Sequence, residues 1–207
     1  MFLCELDGYI PGGAGVRGKP RLTLAEFDVL FRLNYNKRHL NYFRIPMHGH
    51  NVPLNKDDIR SGQAMIIQPG EDLTIVAVGS QLKTAYAALE TLREKGIEVE
   101  LIYIHTIKPF DAQTVNQSLL KTHRCLVIEE HGFYGGVFDD VLRASKDLQG
   151  VQYASICIPN QFLRDYGSYE DHCRSLGFSV EGIMKKVSEE FEPGISCSLK
   201  ANTKSLG

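Results

Sequence analysis

Residues 56–190 alternate between short apolar runs and longer stretches in which apolar residues return at helical spacing. The run Leu73–Val78 is rich in β-branched side chains, as is typical of a strand that is buried on both faces. Leucine and alanine then recur between 82 and 92 in the period of an amphipathic helix. The alternation continues, and it predicts further strands at 99–104, 125–128 and 151–158.

This order of elements predicts the fold class. A strand that is joined through a helix to a parallel neighbour makes a right-handed crossover. Helices connected in this way cover both faces of the sheet. The prediction is therefore an α/β fold, a three-layer α/β/α sandwich with a mostly parallel sheet.

Small polar residues and one glycine mark the predicted helix ends. Ser80, Asp111 and Ser179 stand directly before helical stretches and are predicted N-caps. Gly96 follows a helical stretch, where a residue with left-handed backbone conformation commonly ends the helix.

The chain divides into three zones. The first contains a Gly/Pro-rich loop at 8–20, a predicted helix at 24–37 and a predicted short strand at 40–45. The last is poor in apolar residues, as is common for a loose terminal tail. The predicted boundaries are 1–55 for an irregular start, 56–190 for the alternating domain and 191–207 for the tail.

Composition narrows the classes of protein that the chain can belong to. The net charge of −2 gives no basic surface of the kind that binds nucleic acid. No apolar run approaches the roughly 18 residues needed to span a bilayer, so no membrane association is predicted. The five cysteines form no C-x-x-C pair, which favours reduced thiols in a cytoplasmic protein.

The loop predicted at 105–111 carries three candidate groups. His105 is a candidate titrating group, Lys108 a candidate anion-binding group and Asp111 a candidate base. Pro109 followed by Asp111 is also typical of a helix start, and this structural role is favoured. The earlier loop at 79–81 lacks the glycine pattern of a nucleotide site.

The loop predicted at 129–136 is the strongest candidate in the chain for a catalytic or binding role. Two carboxylates, including Glu130, stand beside His131 and are able to orient its ring. Gly135 and Gly136 would allow the backbone to approach another surface closely. Catalysis and contact with a neighbouring domain or subunit both remain open for this loop.

Two histidines near the end of the first zone are weak candidates for a metal site. His48 and His50 would lie on one face of a strand. Because a structural or catalytic zinc site needs at least three protein ligands, no metal site is predicted.

Three longer motifs carry a family resemblance. The stretches 70–80, 96–111 and 125–136 are similar, in order and spacing, to the C-terminal domain of the transketolase family. The resemblance covers about residues 40–187. The family includes transketolase, deoxyxylulose-phosphate synthase and the β subunits of 2-oxoacid dehydrogenases, and the motifs are most similar to those of transketolase.

The resemblance implies that this chain holds no cofactor by itself. In the family, thiamine diphosphate and Mg²⁺ lie between two other domains, one with a Gly-Asp-Gly motif and one with an activating glutamate. The chain contains no Gly-Asp-Gly, and residues 24–45 match only the end of the pyrimidine-binding domain. The implied partners are the missing pyrophosphate- and pyrimidine-binding domains or subunit, in a homodimer or hetero-oligomer.

The resemblance also implies a function. The complete enzyme would transfer a two-carbon ketol unit between sugar phosphates, while this chain serves as scaffold and subunit contact. Arg44 matches an arginine that holds the substrate phosphate, although an ordinary ion pair at a strand end is the alternative. Two other interpretations stay open, a piece of a 2-oxoacid dehydrogenase β subunit and a stand-alone, non-catalytic binding module.

Overall fold

The computed structural model describes residues 2–5, 22–37, 40–45, 48–164 and 166–191. The described strands, in chain order, are β1 (Phe2–Glu5), β2 (Asn41–Arg44), β3 (Met65–Gln68), β4 (Leu73–Val78), β5 (Val99–Ile104), β6 (Thr106–Lys108), β7 (Arg124–Gly132) and β8 (Gln152–Ile158). The described helices are α1 (Leu22–Asn34), α2 (Leu82–Glu94), α3 (Ala112–Thr122), α4 (Val137–Ala144), α5 (Tyr169–Leu176) and α6 (Val180–Glu190).

The main sheet has five strands in the order β3-β5-β4-β7-β8. Strands β5, β4, β7 and β8 are parallel, and β3 joins β5 at the edge in the antiparallel direction. Strand β4 lies at the centre and every residue in it is buried, which explains its sequence of apolar and β-branched residues. The predicted mostly parallel sheet is confirmed.

Helices cover both faces of this sheet. Helices α2, α5 and α6 pack on one face, where buried side chains such as Leu82, Leu92 and Ile183 form one core. Helices α3 and α4 pack on the other face through residues such as Val115 and Val141. The predicted three-layer α/β/α sandwich is therefore confirmed.

Most of the predicted helix ends occur as expected. The Asp111 carboxylate accepts a hydrogen bond from the Thr114 amide at 3.1 Å, and the Ser179 hydroxyl accepts one from Gly182 at 3.1 Å. Gly96 follows α2 with a left-handed φ of 78°. The N-cap prediction for Ser80 is wrong, because α2 begins after a 3-10 turn without a side-chain cap and Ser80 bonds elsewhere.

A second, small sheet has the order β2-β1-β6. Strand β1 pairs in parallel with β2 and antiparallel with β6. The pattern of the first zone did not predict β1, and β6 lies in the stretch 105–111 that was predicted to be a loop. The loop predicted at 8–20 and nearly all of the tail predicted at 191–207 lie outside the described residues.

Helix α1 is fixed to the rest of the fold by apolar and polar contacts. Leu30 and Ile59 are buried together, and Phe27 and Phe43 pack against them. The described helix ends at Asn34 rather than at residue 37 as predicted. This packing places the end of the neighbouring strand β2 beside the carboxyl ends of the main strands.

Candidate functional site

A pocket of about 180 Å³ lies where the ends of three strands meet the start of α4. Strands β2, β6 and β7 each contribute two residues to it. The remaining walls come from the β7–α4 loop and the first turns of α4. The lining residues are Tyr42, Arg44, Ile107, Lys108, Glu129, His131, Gly135, Gly136, Val137 and Asp140.

Three basic side chains from three separate strands line this pocket. Arg44 ends β2, Lys108 ends β6 and His131 lies near the end of β7. The Lys108 ammonium is 3.8 Å from the Asp140 carboxylate, which is beyond hydrogen-bond distance. Because the Lys108 side chain is about half exposed, this ion pair is weak.

The buried Glu129 carboxylate closes the floor of the pocket. Its two oxygens accept hydrogen bonds from the backbone amides of Val137 at 2.7 Å and Phe138 at 3.0 Å. Burial raises the pKa of Glu129, and the two amide donors and the nearby His131 counter part of that rise. Glu129 therefore satisfies the first amides of α4, as an N-terminal cap does.

The two glycines of the loop have different structural roles. A Cβ atom on Gly136 would lie 2.4 Å from the nearer Glu129 oxygen, so any larger residue here requires the carboxylate or the loop to shift. Gly135 has a left-handed φ of 78°, and its amide donates a 2.7 Å hydrogen bond to Asp139. Both residues shape the pocket wall.

Glu130 points away from the pocket because successive residues of a strand face opposite sides. One of its carboxylate oxygens accepts hydrogen bonds from the Ser80 hydroxyl at 2.5 Å, the Gln81 amide at 2.6 Å and the Tyr169 hydroxyl at 2.5 Å. Burial and the adjacent Glu130 carboxylate raise the pKa of Tyr169. This cluster ties the ends of β4 and β7 to helix α5.

His105 lies between β5 and β6 in the chain, is buried and does not line the pocket. Its Nδ1 is 2.9 Å from the Thr106 hydroxyl. Burial lowers the pKa of His105, and the charge of Glu26 opposes that effect in part. The histidine therefore favours the neutral form, which suits a packing role.

Glu26 and His50 form a buried polar contact next to this histidine. The Tyr103 hydroxyl donates to Glu26 at 2.9 Å, and His50 Nε2 lies 3.2 Å from the other carboxylate oxygen. Because His50 Nδ1 accepts the Val52 amide at 3.0 Å, its proton belongs on Nε2, where it is donated to Glu26. These bonds hold α1 against strand β5.

The two histidines considered as metal ligands have separate partners. His50 bonds to Glu26, whereas His48 stacks on the Tyr169 ring at a centroid distance of 4.2 Å. The described residues contain no group of three or more His, Cys, Asp or Glu side chains able to hold a metal ion. Within that described part, no helix is long and apolar enough to cross a membrane.

The structure thus brings five of the candidate residues together. Arg44, Lys108, His131, Gly135 and Gly136 line one pocket, while Glu130, His105 and Asp111 lie elsewhere. Tyr42, Asp140, Tyr169 and Glu26 were not predicted from the sequence as members of these clusters. Ser168 and Asp171 are spaced as a capping box, which marks the start of a helix in the sequence. This pattern would have predicted that Tyr169 lies on a helix, as it does in α5.

Comparison with known proteins identifies a family to which most of the described domain is similar. Residues 62–183 match the family described as transketolase, C-terminal domain. The β subunit of the pyruvate dehydrogenase E1 component of Rickettsia felis is 39% identical over 90 residues, which are 44% of this chain and 28% of that protein. One subunit of the apulose-4-phosphate transketolase of Phocaeicola vulgatus is 33% identical over 128 residues, which are 62% of this chain and 40% of that protein.

A solved structure has the same fold over most of the chain. It is titled as a split gene transketolase, inactive beta4 tetramer, and superposes with a TM-score of 0.76 at 18% identity. It covers 92% of this chain, which in turn spans 58% of that chain. The chain thus spans less than half the length of the two curated relatives and just over half of this structure.

The class defined by the fold and the matched residues is an α/β/α domain of the transketolase type. This chain belongs to the transketolase C-terminal domain family. The family resemblance of the three sequence motifs is confirmed.

Proposed function

We propose that this chain supplies the C-terminal domain of a transketolase-like enzyme that transfers a two-carbon ketol unit between sugar phosphates, in pentose phosphate metabolism in the cytoplasm. The match of residues 62–183 to the transketolase C-terminal domain carries this proposal. The chain acts as scaffold and subunit contact, and it is inactive alone. It works in a dimer or a hetero-oligomer with partner domains or subunits.

The proposed division of labour follows from the residues that the chain offers. Thiamine diphosphate binds through Mg²⁺, and the lack of a group of three or more His, Cys, Asp or Glu side chains among the described residues supports placing this cofactor on a partner. The full sequence also contains no Gly-Asp-Gly. The cofactor, with Mg²⁺, is therefore assigned to the pyrophosphate- and pyrimidine-binding partner.

Arg44 is the residue of this chain that we assign to the substrate. It stands at the end of β2, is exposed and lines the pocket at the strand ends. A guanidinium group binds phosphate through two parallel hydrogen bonds. In this role Arg44 orients the phosphate end of the sugar and leaves the reacting carbon to the partner.

A reconstitution experiment tests the proposed function. The purified chain is titrated with thiamine diphosphate and Mg²⁺, alone and after mixing with a partner chain that carries Gly-Asp-Gly and the activating glutamate. We expect binding and ketol transfer only in the mixture. One-to-one cofactor binding by the chain alone would overturn the assignment of the cofactor to a partner.

One observation favours a second candidate. The 39% identity to the pyruvate dehydrogenase E1 β subunit is higher than the 33% identity to the apulose-4-phosphate transketolase. A β-subunit piece of a 2-oxoacid dehydrogenase would release CO₂ from a 2-oxoacid in the reconstituted complex. Ketol transfer without 2-oxoacid turnover would exclude this candidate.

A further inference from the structure

The two outer strands of the main sheet differ in their protection against pairing with another chain. An outer strand offers one row of unpaired backbone N–H and C=O groups, and proteins limit this hazard with very short strands, bulges or charged side chains. Strand β3 has four residues, and its register against β5 shifts between Ile66 and Gln68. On the opposite side of the sheet, no described strand pairs with the outer side of β8.

Strand β8 lacks these protections over most of its length. It has seven residues, and it pairs with β7 in unbroken register from Gln152 to Ile156. No Lys, Arg, Asp or Glu occurs between Asp147 and Arg164, so neither the strand nor its flanks carry such a charge. We infer that β8 is a dimer interface, at which the β8 strands of two copies of this chain pair in the antiparallel direction and join the two main sheets into one.

A groove of about 520 Å³ lies along this strand and would be covered in the dimer. Residues 153–157 of β8 line it, together with the aromatic side chains of Phe133 and Phe138. The Phe133 side chain is exposed in the single chain. Burial of such apolar surface is the main favourable contribution to most protein–protein association, and here it would add to the backbone hydrogen bonds.

The composition of β8 suits pairing with a copy of itself. Most oligomers of identical chains use a two-fold axis, which brings the same surface of both copies together. A charged strand would then oppose like charges directly, which is unfavourable, and the neutral β8 avoids this. With the axis at Ser155, the middle residue of β8, Ala154 of one copy would lie opposite Ile156 of the other, a small side chain against a large one.

The charges of α6 favour the antiparallel direction. Lys185 and Lys186 precede Glu189 and Glu190 along this helix, and all four line the same groove as β8. When two β8 strands pair in opposite directions, the two α6 helices also run in opposite directions, so the lysines of one copy face the glutamates of the other. This charge order is complementary to itself, and such complementarity determines orientation more than affinity.

The ion pairs within one α6 helix do not prevent this contact. The Lys185–Glu189 distance is 3.8 Å and the Lys186–Glu190 distance is 3.0 Å. Ion pairs at a helix surface contribute little, so these side chains are able to exchange partners at small cost.

This inference goes beyond the proposed function, which includes a subunit contact without locating it. Pairing through β8 needs neither the cofactor nor a partner domain, so the chain alone should form the dimer.

Sedimentation of the full chain between about 2 and 200 µM tests the inference. We expect the wild type to change from monomer to dimer across this range. Hydrogen exchange followed by mass spectrometry locates the contact. The outward-facing amides of β8 should exchange at least about tenfold more slowly at the higher concentration, whereas residues 65–68 of β3 should exchange equally at both.

Two substitutions of one kind distinguish the two outer strands. Ser155→Lys opposes two lysines at the two-fold axis and should raise the dissociation constant of the dimer at least about tenfold. Ile66→Lys is the matched control, because it places the same side chain at an exposed position of β3. It should dimerise like the wild type.

Exchange of the α6 charges tests the direction of pairing. A variant with Lys185→Glu and Lys186→Glu should dimerise more weakly than the wild type, and so should a variant with Glu189→Lys and Glu190→Lys. A mixture of the two should form a mixed dimer, because one helix is then negative and the other positive. These variants leave β8 unchanged, so they keep the inference testable if Ser155→Lys fails to fold, which circular dichroism would reveal.

Three results would overturn the inference. The first is a wild type that stays monomeric at about 200 µM. The second is an equal dissociation constant for folded Ser155→Lys and Ile66→Lys. The third is a dimer that appears only after removal of residues 192–207, which would assign the groove to that segment.

The outcome separates the interface from the proposed function. Ketol transfer by the reconstituted enzyme, with a chain that stays monomeric alone, would refute only pairing through β8. Concentration-dependent pairing without reconstituted transfer would refute only the proposed function.

Discussion

Replacing Gly136 by alanine gives the sharpest test of how the pocket is built. The new Cβ atom would lie 2.4 Å from one Glu129 carboxylate oxygen and 2.5 Å from the other. Real Cβ atoms do not approach oxygen that closely, so the buried carboxylate or the loop must shift at the start of α4. We expect this shift to disrupt the hydrogen bonds from Val137 and Phe138 without removing either donor or acceptor.

The size of the effect follows from those two hydrogen bonds. A hydrogen bond to a charged group contributes about 1.5–3 kcal/mol, and relaxation of the exposed loop recovers part of the loss. We expect the free energy of unfolding to fall by about 2–4 kcal/mol. This corresponds to a decrease of about 1–2 M in the midpoint of urea unfolding.

Urea unfolding followed by far-ultraviolet circular dichroism is the suitable assay, because the chain has no tryptophan. Gly132→Ala is the matched control. A Cβ atom on Gly132 meets no other atom within 4 Å, so its effect should stay within about 0.5 kcal/mol. If the two substitutions gave equal midpoints, the claim that Gly136 makes room for Glu129 would be refuted.

Three further predictions concern polar contacts outside the pocket. Tyr169→Phe removes one donor to Glu130 and should lower the free energy of unfolding by about 1–2 kcal/mol, whereas Tyr134→Phe, at an exposed tyrosine, should leave the urea midpoint unchanged. Burial lowers the pKa of His105, so the unfolded chain takes up a proton first as the pH falls below about 6.5. Stability should therefore decrease below that pH, and the decrease should be smaller in His105→Gln; an equal slope in both proteins would contradict this. Asp111→Ala removes the cap of α3 and should cost about 0.5–2 kcal/mol in thermal or urea unfolding, and a cost near zero would exclude the capping role.

The strands of the main sheet were predictable because burial on both faces leaves a strong signal. The predicted bounds of β4 and β5 agree with the structure, since apolar residues dominate each strand and the composition changes at its ends. Strand β3 was missed because it lies at the sheet edge, where Ile66 is exposed and the pattern is weak.

Polar elements were harder to predict than buried ones. Helix α5 contains no fully buried residue, so it lacks the apolar period from which the other helices were predicted. The error at Ser80 has a related cause. A serine before a helix is a common cap, but the pattern along one segment does not reveal that Glu130 competes for its hydroxyl.

The assembly of the pocket could not be predicted because it depends on contacts between distant segments. The motifs pointed separately to Arg44 and to the loop with His131, and neither motif contains information about their distance. Strand β1 lies between β2 and β6, so it fixes the spacing of Arg44 and Lys108. No apolar period in the first zone predicted this strand.

The first zone and residues 56–190 both contribute side chains to the candidate site. Leu30 packs with Ile59, and Glu26 accepts a hydrogen bond from Tyr103, so α1 is anchored to the main sheet. The small sheet then carries Arg44 to the same edge at which the parallel strands end. Ligands of open α/β sheets bind at that edge, and here the lining comes from both segments, with Arg44 from the first and Lys108 and Glu129 from the second. A domain cut at residue 56 would therefore lose Val52 from its core and would lose Arg44, on which the proposed function depends.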